Sequence, residues 1–412
     1  VRVLIFESDC GGHRLQYVGA IVDALAPLRV STVLVCERGI RQTSEFSTHL
    51  ARIQGGFDID DGVPPSRGQP AYTVGMRRFL ALRKAIARHK PDHVYIPYAD
   101  GLIQVAGLAR MLGFSLSRPG MEIEALMMRG KFAYEPRPAP LSTRLIATAL
   151  ARTPVDIVHH IDPIVYDYIR HRFESLAVRF RLLPEAVESI VPLDLQTARL
   201  RLGIPPLGKY VGCLGALSAG KGVAFLLRAF SSAPMEADHR LLLVGKPDPE
   251  LRLLLTGEYR TLREAGRIVH IDRYVSQDEF HLGLMASDVV CAPYHRQIGS
   301  SGIVVRAAAI GRPLLGSDFG WVGRVIRDFE LGTVCDVTDI PRFATELAHA
   351  LALSAGYRPG PKARLFANYH RQENFAWHWT HRLRERMGLG TPRASSEWAW
   401  PESPSFDQAL HA

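Results

Sequence analysis

Residues 295–313, "HRQIGSSGIVVRAAAIGRP", run from a small polar loop straight into an alanine-rich apolar segment. Gly299, Ser300, Ser301 and Gly302 put bare backbone at the mouth of that segment. If the segment is a helix, its dipole and free N–H groups form an anion site. The glycines let a diphosphate approach, and the two serines add hydroxyl donors. A plain serine cap on a packed helix gives the same pattern. Arg306, inside the segment, either faces that anion or pairs with an acid such as Asp318.

Two other glycine turns carry candidates. Lys221 lies in "AGKG", after an apolar run that ends at Gly215. A point charge in a tight turn that opens a helix can neutralise a departing anion, although an exposed turn lysine looks alike. The stretch lacks the GxxxxGK[ST] spacing of a P-loop. Gly11, Gly12 and His13 follow the first apolar run directly. Titrating near neutrality, His13 suits a general base, or it caps the next helix and orders the loop. Arg14 beside it could meet a phosphate of a second substrate. Tyr274, in the strand-like run "RIVHIDRYV", is read as a further ligand contact. Asp58 and Asp60 form an acid–x–acid pair of the kind that holds a metal–diphosphate. The pair lies in a loop-like stretch, and such triplets are common. With no His/Cys cluster either, neither a metal nor a cofactor is expected.

The elements that must position these residues alternate between strand and helix, the pattern of an α/β protein with parallel sheets. "VRVLIF" reads as the first strand, followed by a glycine turn and the helix "RLQYVGAIVDALAPL". From about residue 207 the pattern restarts with "KYVGCLGAL" and the helix "GKGVAFLLRAFSSA". The proline-rich segment 184–208 reads as the linker. The expected domains are 1–190 and 191–370. A helix at 371–388 is expected to cross back to the first domain, and 389–412 forms a tail that can dock through Trp398 and Trp400. Two Rossmann-like halves would form a cleft at their strand C-termini, where such sheets bind ligands.

Composition narrows the partners. A chain of 412 residues exceeds one ordinary core, and 47% hydrophobic with 22% charged residues is that of a soluble globular protein. The longest apolar runs fall short of the ~20 residues that span a bilayer, and the first strand is too short for a signal peptide. Five scattered cysteines without a CxxC pair point to buried, reduced thiols in a cytoplasmic protein. The net charge of +9 suits anionic partners. Within "MRRFLALRKAIARHK" (76–90), Phe79, Leu82, Ala85 and Ile86 form an apolar stripe. Arg77, Arg78, Arg83, Lys84, Arg88 and Lys90 surround it. That is either a sheet-packed helix with a solvated basic face or a surface for an anionic membrane or polyanionic acceptor. Without a nucleic-acid fold or an aromatic-interleaved basic strand, nucleic acid is not expected.

Over roughly residues 1–385 the order of motifs resembles the GT-B glycosyltransferases, in particular the large, mostly retaining group 1 (family 4-like) nucleotide-sugar transferases. "RLLPEAVES", "VGCLGALSAGKGVAFLLRAF", "LLLVGKPDPE" and the run 269–323 carry the resemblance. It implies two Rossmann-like domains facing each other across a cleft, with the donor held by the second. It also implies that Lys221 meets the donor diphosphate and that the 11–13 loop lies over the sugar and phosphates. The group's Glu–x7–Glu pattern falls here on Ile298 and Arg306, an arginine near its lysine on Ala216, and a first-domain histidine near Met128 and Arg129.

The reading is a metal-independent glycosyltransferase that moves a sugar from a nucleotide-diphosphate sugar to a carbohydrate, lipid-linked or small-molecule acceptor. Lys221 and His13 are the catalytic candidates. Gly11, Gly12, Gly215, Tyr274, Gly299, Ser300, Ser301, Gly302 and Arg306 are the donor contacts. The resemblance implies retention of configuration, while the missing glutamates and the Gly-Gly-His loop leave inversion open. A silent GT-B scaffold and a nucleotide-sugar epimerase are the rival readings. The expected location is cytoplasmic, with contact to the membrane's cytoplasmic face left open.

Overall fold

A computed structural model describes the chain except for Cys10, Gly12, His13, Arg52, Gln54, Gly55, 66–70, Ser117, 135–140, 391–399 and 401–412. Seven parallel strands make one sheet: β1 (Arg2–Glu7), β2 (Ser31–Glu37), β3 (Asp58–Val63), β4 (His93–Ile96), β5 (Glu122–Met127), β6 (Ile157–His160) and β7 (Phe180–Leu182). Six more make a second: β8 (Lys209–Leu214), β9 (His239–Val244), β10 (Ile268–Ile271), β11 (Val289–Ala292), β12 (Leu314–Ser317) and β13 (Gly332–Cys335). Their spatial orders are β3-β2-β1-β4-β5-β6-β7 and β10-β9-β8-β11-β12-β13. Both are doubly wound, and the order reverses between β1 and β4 and between β8 and β11.

The chain divides into two compact units. One holds Val1–Ala186 with the segment from Arg371, the other Val187–His370 with Trp400. In the first, alternate residues of β1 serve opposite layers, as a strand's two-residue period requires. Leu4 and Phe6 meet helices Ala71–His89, Leu102–Met111 and Leu141–Arg152. Val3 and Ile5 meet helix Arg14–Leu25 and helix Gln372–Arg386, which brings Phe375, Trp379 and Leu383 into the core. Arg382 and Arg386 of that helix pair with the buried carboxylate of Glu122. In the second unit Tyr210 and Leu214 face helix Gly302–Ala309, and Val211 and Cys213 face helices Val223–Ser232 and Ile340–Leu353.

Several details differ from the sequence reading. Segment 184–208, read as linker, contains helix Leu195–Leu202 and is pinned by the buried Arg199. That guanidinium donates to the carbonyls of Ala286, Pro206 and Gly208 and pairs with Asp288. Asp58 and Asp60 belong to edge strand β3 instead of a loop. The Asp60 carboxylate is taken up by Arg88 at 2.8 Å and His89 at 2.7 Å. Arg78 is buried instead of lying on the basic face. The Trp400 ring packs 5.0 Å from Phe329 and 5.1 Å from Tyr369, while Trp398 lies outside the described residues. Cys36, Cys213, Cys291 and Cys335 are buried free thiols. Among the described residues no helix is long and apolar enough to cross a membrane.

Candidate functional site

In the second unit the reversal between β8 and β11 brings two loops together. At its start Gly215 has φ +99°, and a Cβ on Gly245 (φ +137°) would lie 1.9 Å from the Gly215 carbonyl oxygen. Gly222 has φ +68°, and its Cβ would lie 1.8 Å from the carbonyl oxygen of Pro293, just past β11. These are positions where backbone meets backbone and glycine is required.

Lys221, next to Gly222, turns its ammonium into this junction. Nζ donates to Gln297 Oε1 at 3.0 Å and stands 4.0 Å from the centre of the Tyr294 ring. Burial lowers its pKa from the ordinary lysine value. Neither neighbour is an anion. The Cys213 thiol nearby, pushed up to about 12 by burial, brings no negative charge either. Among the described residues' ion pairs none includes Lys221. The site therefore holds a partly desolvated cation without a carboxylate.

The 299–302 loop completes the junction. Gly299 has φ +94°, and Gln297 Nε2 donates to the Ser300 carbonyl at 3.2 Å. Ser301 is the N-cap of helix Gly302–Ala309, but its side chain makes no capping bond. Its hydroxyl lies 3.2 Å from the Tyr294 hydroxyl instead. With no acid in the helix's first turn, its N–H groups and the Lys221 ammonium form a positive end suited to a diphosphate.

Arg306 does not join that group. It is buried, with Nε 2.9 Å from Glu188 Oε1, Nη2 2.8 Å from Glu188 Oε2, and Nη1 donating to the Gly302 carbonyl. Its acid is thus Glu188 from "RLLPEAVES", not Asp318. His281 Nε2 lies 2.6 Å from the same carboxylate. Burial acts to raise the Glu188 pKa, but the His281 hydrogen bond and the Arg306 charge outweigh it and hold the carboxyl well below the usual range. Tyr274 is also outside the junction. It is 84% exposed in the turn after edge strand β10, with Lys246 Nζ 5.3 Å from its ring centre.

In the first unit the equivalent reversal holds a second polar cluster. His13 and Gly12 lie outside the described residues. The Gly11 N–H is occupied, donating to Asp9 Oδ1 at 2.9 Å. Arg14 pairs with Asp9 at 2.9 Å, lies 3.6 Å from Glu7, and stacks over Tyr98 with Cζ 3.7 Å from the ring centre. Arg78 Nη2 lies 3.9 Å from Asp9. Glu7 is fully buried, and desolvation raises its pKa to about 8 against the lowering pull of Arg14. Asp100 accepts from the Met128 and Arg129 N–H groups and is raised by burial. Sequence reasoning missed Glu7, Asp100, Glu188, Tyr294 and Gln297. Arg78 had a readable signal, since its helical spacing matches buried Leu82 and Ala85.

Comparison with known proteins gives a consistent picture. Residues 208–352 match the family described as Glycosyl transferases group 1. A phosphatidyl-myo-inositol mannosyltransferase of Mycobacterium leprae (strain TN) is 36% identical over 167 residues, 38% of this chain and 41% of that protein. A D-inositol 3-phosphate glycosyltransferase of Rhodococcus jostii (strain RHA1) is 29% identical over 200 residues, 46% of this chain and 42% of that protein. The chain thus spans about two-fifths of the length of these curated relatives. Among solved structures, a sucrose-phosphate synthase from Thermosynechococcus elongatus superposes with TM-score 0.70 at 17% identity, covering 94% of this chain and 99% of the other. Anabaena HepE in complex with UDP superposes with TM-score 0.66 at 13% identity, covering 93% and 100%. These likenesses establish the fold as GT-B.

Proposed function

We propose that this chain, whose residues 208–352 match the glycosyl transferases group 1 family and whose two sheets form the GT-B fold, transfers a sugar from a nucleoside-diphosphate sugar to an acceptor hydroxyl. The observation that carries the reading is the Lys221 ammonium, half-buried without a carboxylate beside the uncapped start of helix Gly302–Ala309. Breaking the bond from sugar to diphosphate builds negative charge on the leaving phosphate. A preorganised cation and aligned N–H groups stabilise that charge more than they stabilise the ground state. Lys221 then does the work a metal ion would otherwise do, and the reaction is proposed to be metal-independent.

Support for the donor class comes from HepE, solved with UDP and with UDP-glucose. Support for a polyol-like or lipid-linked acceptor comes from the inositol-directed relatives. Retention of anomeric configuration is proposed on the family likeness alone. The acceptor is assigned to the first unit, close to the Arg14 cluster, and His13 keeps its role as candidate general base.

Titration calorimetry with UDP, GDP and ADP tests the site directly. One of the three should bind, and Lys221→Ala should weaken it. Turnover of the matching donor should fall by roughly 10²–10³-fold, as when one stabilising donor is lost from a transition state. Absence of binding by any nucleoside diphosphate, or a Lys221→Ala protein with full activity, would overturn the assignment.

A further inference from the structure

The basic helix singled out in the sequence belongs to a larger surface. Helices Ala71–His89, Leu102–Met111 and Leu141–Arg152 lie side by side over one face of the first sheet, and none of the three contains an aspartate or glutamate. Large apolar side chains project outward from them and from the turn after the second. Leu80 is 52% exposed, Met111 56%, Leu112 76%, Phe114 49%, Leu141 74% and Leu145 59%. Exposed apolar residues of this size in one area call for a covering partner.

Cations are interleaved with them. Arg83, Lys84 and Arg144 are exposed on the same helices, and the Arg83 guanidinium lies 5.7 Å from the centre of the Phe114 ring. Beside Met111 a hollow of about 280 Å³ is lined by Arg110, Arg152 and Arg179 together with Met111 and Ala151. Arg179 is fixed there by donating to the carbonyls of Ala151, Thr153 and Val155. Three guanidinium groups around one hollow, with no carboxylate in its lining, suit a phosphate.

We propose that this three-helix face docks on an anionic phospholipid surface, with Leu80, Leu112, Phe114 and Leu145 entering the headgroup–acyl boundary and the arginine hollow taking a lipid phosphate. Apolar side chains set among cations, with no acid on the helices, match such a surface on both counts. A soluble polyanion would use the cations and leave the apolar groups in water. The inference does not depend on the donor chemistry.

Flotation of the full chain with vesicles tests it. The protein should float with mixed phosphatidylcholine and phosphatidylglycerol but not with phosphatidylcholine alone, and less so as salt rises. Each cation removed should weaken binding by roughly fivefold. The combined Arg83→Glu, Arg144→Glu and Arg152→Glu variant should therefore stay at the bottom of the gradient. Leu112→Ser with Phe114→Ser should abolish the part of the binding that survives high salt. Both variants alter exposed residues, so thermal midpoint and nucleotide binding should match the parent and separate a docking defect from misfolding. A parent that ignores anionic vesicles overturns the proposal, as does flotation that either variant leaves intact. Full competition by inorganic phosphate would instead mark a site for a soluble anion, which also overturns it.

Discussion

Arg306 shows how a residue's chemistry is decided by a partner distant in sequence. Its guanidinium is committed to Glu188, 118 positions away, and the carboxylate is shared with His281. Removing the arginine leaves a mostly buried carboxylate without its guanidinium partner. Arg306→Ala should therefore destabilise the protein by about 2–4 kcal/mol, toward the low side for a pair that keeps some water. Nucleoside-diphosphate affinity should stay unchanged, and calorimetry beside chemical denaturation reads both quantities. A large loss of affinity at normal stability would return Arg306 to the donor site. Gly302→Val is a poor probe of phosphate binding, since a Cβ on Gly302 would sit 2.7 Å from Arg306 Nη1 and disturb this same pair.

At the scale of elements, the junction of the β8 and β11 loops depends on Gly222 having no side chain. Gly222→Ala would place a methyl group against the Pro293 carbonyl in a left-handed backbone, forcing the loops apart and carrying Lys221 with them. We expect nucleotide affinity to fall at least tenfold, with a lower thermal midpoint. An unchanged affinity would mean that the junction is not part of the site. The elements around it were legible because their signals are local. "KYVGCLGAL" and "DVVCAPY" are buried strands ending in turn residues, and the Ala-Gly-Lys-Gly turn marks a helix start. The buried acids were not legible. Glu7 ends an ordinary apolar strand, and only its complete burial, against the lowering pull of Arg14 and Arg78, makes its carboxyl unusual. Strand β3 is not legible as a strand, because its acidic run is satisfied by Arg88 and His89 through a contact between helix and sheet edge that local spacing does not show.

Across the whole molecule, buried ionisable groups set how stability varies with pH. Glu7 has its pKa raised to about 8, so its contribution is full below the unfolded value near 4.5 and is lost as pH rises toward 8. His160 and His370 are lowered by burial to about 3, so theirs is present above 6.5 and lost as pH falls toward 3. Each group can contribute a slope of up to ~1.4 kcal/mol per pH unit inside its window. Glu7→Gln should flatten the decline between pH 5 and 8 and leave the acid-side fall in place, as read from thermal midpoints across pH. A variant with the parent's slope on the alkaline side would show that Glu7 is ionised in the fold.

The return of helix Gln372–Arg386 to the first unit has a consequence for how the protein is made. Phe375, Trp379 and Leu383 complete a core whose other residues precede Ala186, so that core stays open until the ribosome has translated the whole intervening second unit. The second sheet is fully synthesised first. The N-terminal sheet, with β1 and its helix exposed on one side, must wait for some two hundred further residues at about 5–20 residues per second. For that interval the first unit is the part most in need of a chaperone, and a ribosome that stalls before Gln372 leaves its core without the helix that closes it.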